Sequence, residues 1–351
     1  MRFHVVSLPH TQTTKDFVVC AFTEKVRKFC NMMTDRGHEV ILYAGEQNEA
    51  RVSEFVTCIT EEERLAFLDG KFYVDADFNP NLPTWKKFNS TVVKEIKKRA
   101  DEKDFICLIG GTSHKPIADA LPGMMSVEFG IGYGGTFSKY RVFESYAWMH
   151  TVYGSSNPNP NAIDGNFYDA VIPNYYEVED FPEHEDKGYY LFIGRLTERK
   201  GYKIASEVCE YVGVRLKVAG HGEPPEYGEY VGVVDAKQRG ELMAGATAVF
   251  VPTTYIEPFG GVAIEAMLCG TPIITTDWGA FTETNVGGVT GYRCRTFKEF
   301  CEAVRKAPGL DSKEIREYAR SNWSMEAVAP RYEYYFEKLL TLWDDGWYNT
   351  K

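Results

Sequence analysis

The chain has 351 residues, of which 44% are hydrophobic and 25% charged, with 39 Lys and Arg against 50 Asp and Glu. That length accommodates two domains, each with a core of its own. The composition excludes a disordered chain or a coiled coil, and the apolar runs, such as that at 248–252, fall far short of the roughly 18 residues a membrane helix needs. The charge is uneven: residues 1–175 carry 19 basic and 22 acidic side chains, and residues 176–351 carry 20 and 28. An acidic second half cannot hold polyphosphate by bulk attraction, so phosphate chemistry there must rest on a few placed cations. Eight cysteines occur without a CxxC pair or short Cys/His spacing, and the N-terminus runs straight into a strand-like segment. No zinc or redox motif is present, and the reading is of reduced thiols and a cytoplasmic location.

In chain order, Phe3 to Leu8 reads as a buried strand, Ala21 to Arg36 as an amphipathic helix closed by Gly37, and Glu39 to Ala44 as the next strand, which opens a βαβ unit. A helix from about Trp85 to Ala100 follows, then strands at Phe105 to Gly110 and Met125 to Gly130, a helix from about Lys139 to Val152, and a short strand at Ala170 to Pro173. The stretches 70–84 and 154–168, rich in Pro, Asn and Gly, read as irregular. In the second half the predicted strands are Tyr190 to Gly194, Leu216 to Gly220, Ala248 to Pro252 and Pro272 to Thr276. They alternate with helices at Gly201 to Tyr211, Ala236 to Ala246, Gly260 to Leu268 and Phe297 to Lys306. Strands without polar alternation belong to parallel sheets covered on both faces. The predicted fold is therefore α/β, with two Rossmann-like doubly wound domains facing a cleft. The expected domains are 1–178 and 179–326, joined near the charged, Pro182-containing stretch 177–187, with an aromatic C-terminal helix from about 327 to 351 packing back on the first.

Ligands of open parallel sheets bind beyond the carboxyl ends of the strands. After the strand at 190–194 come Gly194, Arg195, Lys200 and Gly201. Arg195 and Lys200 read as a cationic pair or as two surface charges near Glu198, and the flanking glycines favour the pair. Gly220-His221-Gly222 at the next strand end is an ordinary tight turn unless others join it. The densest signal is Glu257-Pro258-Phe259-Gly260-Gly261 leading to Glu265. Pro258 and the paired glycines start a helix whose N-terminus carries roughly half a positive charge, suited to phosphate or sugar oxygens. Glu257 can act as a helix cap, whereas Glu265 on an otherwise apolar stretch calls for donors such as paired sugar hydroxyls.

Val171-Ile172-Pro173-Asn174, Gly194-Arg195 with Lys200-Gly201, Gly220-x-Gly222, Glu257-x7-Glu265 and Gly270-Thr271-Pro272-Ile273-Ile274 together resemble family 4 of the retaining glycosyltransferases, which have the GT-B fold. The likeness covers about 170–295. It implies that Arg195 and Lys200 hold the donor diphosphate as it leaves, that Glu257 sits beside the donor sugar, that the backbone of Phe259, Gly260 and Gly261 contacts sugar and phosphate, and that Glu265 takes the ribose hydroxyls. Gly194, Gly220 and Gly222 complete the donor side. No metal and no cofactor is implied, because two side-chain cations and a helix end supply the positive field. Many members also place a His near the reacting sugar carbon, and His114 after Phe105 to Gly110 is the best match.

The turn after the first strand, Pro9 to Lys15, lacks the glycines usual in the family, although His10 and Thr11 can still meet a phosphate or an acceptor. Glu128 and Tyr133 are read as acceptor-side residues on a mobile loop, with Arg141 paired to Glu144 on the helix that follows. The resulting expectation is retaining, metal-independent transfer of a hexosyl group from a UDP- or GDP-sugar to a hydroxyl of a glycan, polysaccharide or lipid-linked acceptor. A nucleotide-sugar epimerase or a non-catalytic nucleotide-sugar binding protein is the alternative. The basic helix around Lys86 to Arg99 reads as a solvated face or as a peripheral membrane contact. The same face leaves glycosylation of a modified DNA base as a minor alternative, with nucleic acid otherwise not expected as a partner. Base, sugar, acceptor and oligomeric state are not legible.

Overall fold

The computed structural model describes residues 1–157 and 159–343. Residues 344–351 of the expected C-terminal segment, and the Trp343 side chain, lie outside the described residues. The chain divides into two compact units, one of 1–144, 152–175 and 328–351, the other of 145–151 and 176–327.

The first unit is built on seven parallel strands: β1 (Arg2–Val6), β2 (Glu39–Ala44), β3 (Glu54–Thr57), β4 (Phe105–Leu108), β5 (Met125–Ile131), β6 (Tyr140–Phe143) and β7 (Asp169–Val171). Their order is β3-β2-β1-β4-β5-β6-β7, which reverses direction of growth between β1 and β4. β1, β2 and β4 are almost wholly buried, as a parallel strand covered on both faces must be. One face packs on Phe88, Val92 and Ile96 of the helix Pro83–Lys97. The other carries an aromatic cluster in which Phe336, from the helix Met325–Leu340, meets Phe3 (4.7 Å between ring centroids), Phe105 (4.8 Å) and Phe29 (6.3 Å).

The second unit holds six parallel strands: β8 (Tyr189–Ile193), β9 (Leu216–Ala219), β10 (Glu229–Gly232), β11 (Ala246–Val251), β12 (Ile273–Thr276) and β13 (Gly291–Cys294). The order β10-β9-β8-β11-β12-β13 again reverses at the centre, between β8 and β11. β8 and β11 are paired directly, with Leu191 opposite Val249 and Phe192 opposite Phe250.

Two α/β units of this kind agree with the expected fold class. The helix expected from Lys139 does not start there: Tyr140–Phe143 is strand β6, and the helix is Tyr146–Ser156. The aromatic and β-branched run Tyr140, Val142, Phe143 suits a strand flanked on both sides, and Arg141 pairs with Asp169 of β7 (2.9 and 2.7 Å) rather than with Glu144. Glu144 instead forms an ion pair with buried Lys25. The sheet-edge strands β3, β10 and β13 escape periodicity because they are short and partly solvated.

Phe336→Ala removes a fully buried ring from the aromatic cluster. Chemical denaturation of the variant should show the first unit destabilised by about 3–5 kcal/mol. A change below about 1 kcal/mol would mean that the cluster collapses around the cavity.

Candidate active site

In the second unit the functional side chains arise where β8, β9 and β11 end. After β8 the chain runs through Gly194 and exposed Arg195 into a short 3-10 turn, Glu198–Lys200, and then the helix Tyr202–Val212. Lys200 donates from Nζ to Glu257 Oε2 at 3.1 Å, with side chains 24% and 12% exposed. The ring of Tyr255 lies under two cations, Arg199 (4.9 Å to Cζ) and Lys200 (4.9 Å to Nζ). Burial first, and the Glu257 carboxylate beside it second, push the Tyr255 hydroxyl well above the ordinary tyrosine range, against the opposing charges of Arg195 and Arg199. Arg199 and Lys200 thus share one phenol, and Lys200 joins that phenol to one carboxylate.

The helix Gly261–Cys269 begins beside them. Its N-cap is Gly260, at φ +80°, and no side chain caps it. A Cβ at Gly260 would stand 2.5 Å from Phe281 Cε1, so the turn admits only glycine. Ala263 N donates to the Gly260 carbonyl (2.9 Å), and no side chain caps the helix start, an arrangement suited to an anion or a hydroxyl. The Phe259 ring is buried in the core, which leaves only its backbone for a ligand. The Pro258 carbonyl accepts from Ser145 Oγ (2.6 Å), and Glu283 accepts the amides of Tyr146 and Ala147 (2.9 and 2.8 Å), so the segment 145–151 buttresses the same loop. Gly220 is required for a reason the sequence did not disclose: at φ +138° its missing Cβ leaves room for the Gly194 carbonyl, which a side chain would overlap. The Gly220-His221-Gly222 turn is pinned by Leu196 N donating to the His221 carbonyl (2.8 Å).

Glu265, expected to lack donors of its own, has one: Arg239 of the helix Ala236–Ala244. Sequence reasoning missed Arg239, Arg199, Tyr255 and Ser145. Arg199 and Tyr255 lie inside or beside quoted motifs, but nothing in the spacing of Arg239 or Ser145 signals contact with residues 26 and 113 positions away.

In the first unit, His10 and His114 are fully buried. Burial, helped by the charge of Arg64, lowers His10 to about 4. Burial lowers His114 to about 3, the Ser7 backbone acting in the opposite sense. Both rings are neutral imidazoles at pH 7. Gly110 N donates to His114 Nδ1 (3.0 Å), and Trp85 and Phe88 pack on that ring. His10 lies against Phe78 (5.0 Å), and its Nδ1 is buried without a hydrogen bond. Thr11 is buried and shares a hydroxyl hydrogen bond with Thr23 (2.7 Å). Glu128 corrects the expectation of a carboxylate on a mobile loop. It lies inside β5, fully buried, and accepts from Phe137 N and Ser138 N (2.8 Å each) and from the Tyr133 hydroxyl (3.3 Å). Burial raises its pKa despite those donors. Glu128 therefore clasps the 133–138 loop. Three of the six cations between 86 and 99 are paired, Lys87 with Glu63, Lys98 with Glu95, and Arg99 with Glu95 and Glu54. Among the described residues no helix is long and apolar enough to cross a membrane, and no cluster of three His, Cys, Asp or Glu is placed to hold a metal ion.

Residues 177–322 match the family model described as glycosyl transferases group 1. A phosphatidyl-myo-inositol mannosyltransferase of Mycobacterium tuberculosis is 24% identical over 325 residues, 81% of each chain. An uncharacterised glycosyltransferase of Methanocaldococcus jannaschii is 34% identical over 116 residues, 28% of this chain and 30% of that relative's length. Among solved structures, AviGT4, a glycosyltransferase involved in avilamycin A biosynthesis, superposes with a TM-score of 0.68 at 18% identity, over 97% of this chain and 98% of its own. HepE of Anabaena, solved in complex with UDP-glucose, has a TM-score of 0.64 at 13% identity, over 97% and 99%. The chain is a glycosyltransferase of the GT-B fold. Within that class, the segment 177–322, which holds Arg195, Lys200, Glu257 and Glu265, is a group 1 glycosyl transferase domain.

The two buried histidines carry a pH signature. Their folded pKa values lie below the ordinary 6.5, so the unfolded chain binds more protons between about 6.5 and the folded values. Their contribution to stability is complete above pH 6.5 and is lost as the pH falls toward 4. Denaturation at a series of pH values should show that decline, and His114→Asn should make it shallower. An unaltered slope in the variant would mean that His114 does not remain neutral in the folded chain.

Proposed function

We propose that this glycosyltransferase moves a hexosyl group from a UDP- or GDP-sugar to a hydroxyl of a glycan, polysaccharide or lipid-linked acceptor, with retention at the anomeric carbon and without a metal ion. The observation that carries this reading is the ion pair of Lys200 with Glu257 over the Tyr255 ring, which Arg199 also faces and whose hydroxyl feels the charge of Arg195, beside the start of the helix Gly261–Cys269, which no side chain caps. Two kinds of positive field converge there, side-chain cations and helix amides, and that is what a leaving diphosphate requires. The first unit is assigned to acceptor recognition, with His10, Thr11 and His114 as polar groups of its β1 and β4 loops. The mannosyltransferase relative, matched over 81% of this chain, supports a lipid-linked acceptor.

In the proposed step the bond from the anomeric carbon to the diphosphate oxygen breaks, and its electron pair stays on the phosphate. The acceptor oxygen bonds to the same face of that carbon. Its proton passes to the departing phosphate, which Arg195 and Lys200 neutralise as charge develops. Glu257, held by Lys200 and by the Tyr255 hydroxyl, offers its remaining lone pairs to a sugar hydroxyl. His114, neutral at pH 7, is suited to accept or donate one hydrogen bond rather than to carry charge.

Lys200→Ala should lower the transfer rate about 10²-fold or more, with weaker binding of the nucleoside diphosphate, in an assay that screens UDP- and GDP-sugars. Lys203→Ala, which removes only an exposed pair with Glu198, should leave both unchanged. Unaltered transfer and nucleotide affinity in the Lys200 variant would remove Lys200 from the donor site. Conversion of donor in the absence of any acceptor, followed by NMR, would replace transfer with epimerisation.

A further inference from the structure

Glu265 stands one turn into the helix Gly261–Cys269, among side chains that are otherwise core: Ala263, Ile264, Ala266, Met267 and Leu268. Its carboxylate is held in an unusual way. Arg239 sets both Nε and Nη2 on the same oxygen, Oε2, each at 2.5 Å. A guanidinium that meets a carboxylate side by side places one N–H on each oxygen. Here the whole fork is spent on one oxygen. Oε1 lies 3.8 Å from the position a Cβ on Gly261 would take, and so faces the start of its own helix. The Tyr176 hydroxyl approaches the same Gly261 position at 3.0 Å, and its ionisation feels both Glu265 and Arg239. The pair is 28% and 21% exposed, so the carboxylate is reachable while its orientation is fixed.

We infer that Arg239 is a positioning residue for the nucleotide: it locks Glu265 through Oε2 so that Oε1 accepts a ribose hydroxyl of the donor. This rests on the reading above, in which the helix Gly261–Cys269 receives a nucleoside diphosphate. A carboxylate left to rotate on three side-chain bonds would lose orientation, and a hydroxyl donor would then have to order it on binding. Arg239 does that ordering in advance. The consequence is selectivity for ribose over deoxyribose that depends on a residue with no contact of its own to the sugar.

The test compares dissociation constants of the full chain for UDP and GDP with those for their 2′-deoxy and 3′-deoxy counterparts, by calorimetry. The wild-type chain should prefer the ribonucleotide over at least one deoxy form by about tenfold or more, the range of a hydrogen bond to a charged acceptor. Arg239→Met keeps the stem and removes the fork. It should bring that ratio to within about twofold of one while leaving affinity for the deoxy form nearly unchanged. Arg239→Lys, which offers one ammonium in place of a planar fork, should fall between the two and serves if the Met variant does not fold. A merely structural staple between two helices would lower melting temperature and both affinities together, with the ratio preserved, and that result overturns the inference. Equal binding of ribo and deoxy forms by the wild-type chain overturns it as well, leaving the donor site standing. Failure of the wild-type chain to bind either diphosphate overturns the donor reading and this inference with it.

Discussion

The pairing of β8 with β11 is the constraint on which the candidate site of the second unit depends. Two parallel strands distant in sequence are placed as neighbours at the point where the sheet changes its direction of growth. Their carboxyl ends then open at one edge, and the loops that leave them diverge. Lys200, from the loop after β8, meets Glu257, from the loop after β11, across 57 residues of chain. Every other feature of the site is built on that meeting. The Tyr255 ring fills the space under Lys200 and Arg199, the Gly260 turn starts a helix at the same place, and the 145–151 segment fastens the Pro258 carbonyl from behind.

The charge distribution acquires a physical sense in this setting. The acidic second half concentrates its placed cations at one point. Three cations near the site are restrained by an anion or a ring: Lys200 by Glu257, Arg199 by Tyr255, Arg239 by Glu265. Such pairs are partly desolvated, so the interactions are stronger than on an open surface and the side chains are held before a ligand arrives. Preorganisation of this kind removes part of the ordering cost from binding.

The first unit follows a different logic. Its strand-end loops carry neutral, buried polar groups rather than charges. His10 and His114 are kept unprotonated by their surroundings, and Glu128 is buried against three donors. Keeping the two histidines as neutral rings costs stability as the pH falls below about 6.5, which ties the integrity of this unit to neutral conditions.

Much of the donor side was legible in the sequence because it is local. Glycines bracket the turns, Pro258 starts a helix, and apolar runs without polar alternation mark buried parallel strands; each is a short-range consequence of backbone sterics or of solvent exclusion. The sequence by itself determined two parallel α/β units and the positions of Arg195, Lys200, Glu257 and Glu265 at strand ends and helix starts. It did not determine what those residues touch. The strand at Tyr140–Phe143 passed for helix because four residues carry too little period to separate the two. Glu128 passed for a loop carboxylate because its donors, the amides of Phe137 and Ser138, become neighbours only when the following loop folds back. Arg239 was invisible because its partner lies on another helix, and pairing between helices is set by packing. Only the tertiary structure decided those partnerships, since a side chain's partner is chosen by where the sheet order brings two distant segments together, and no local pattern records that order.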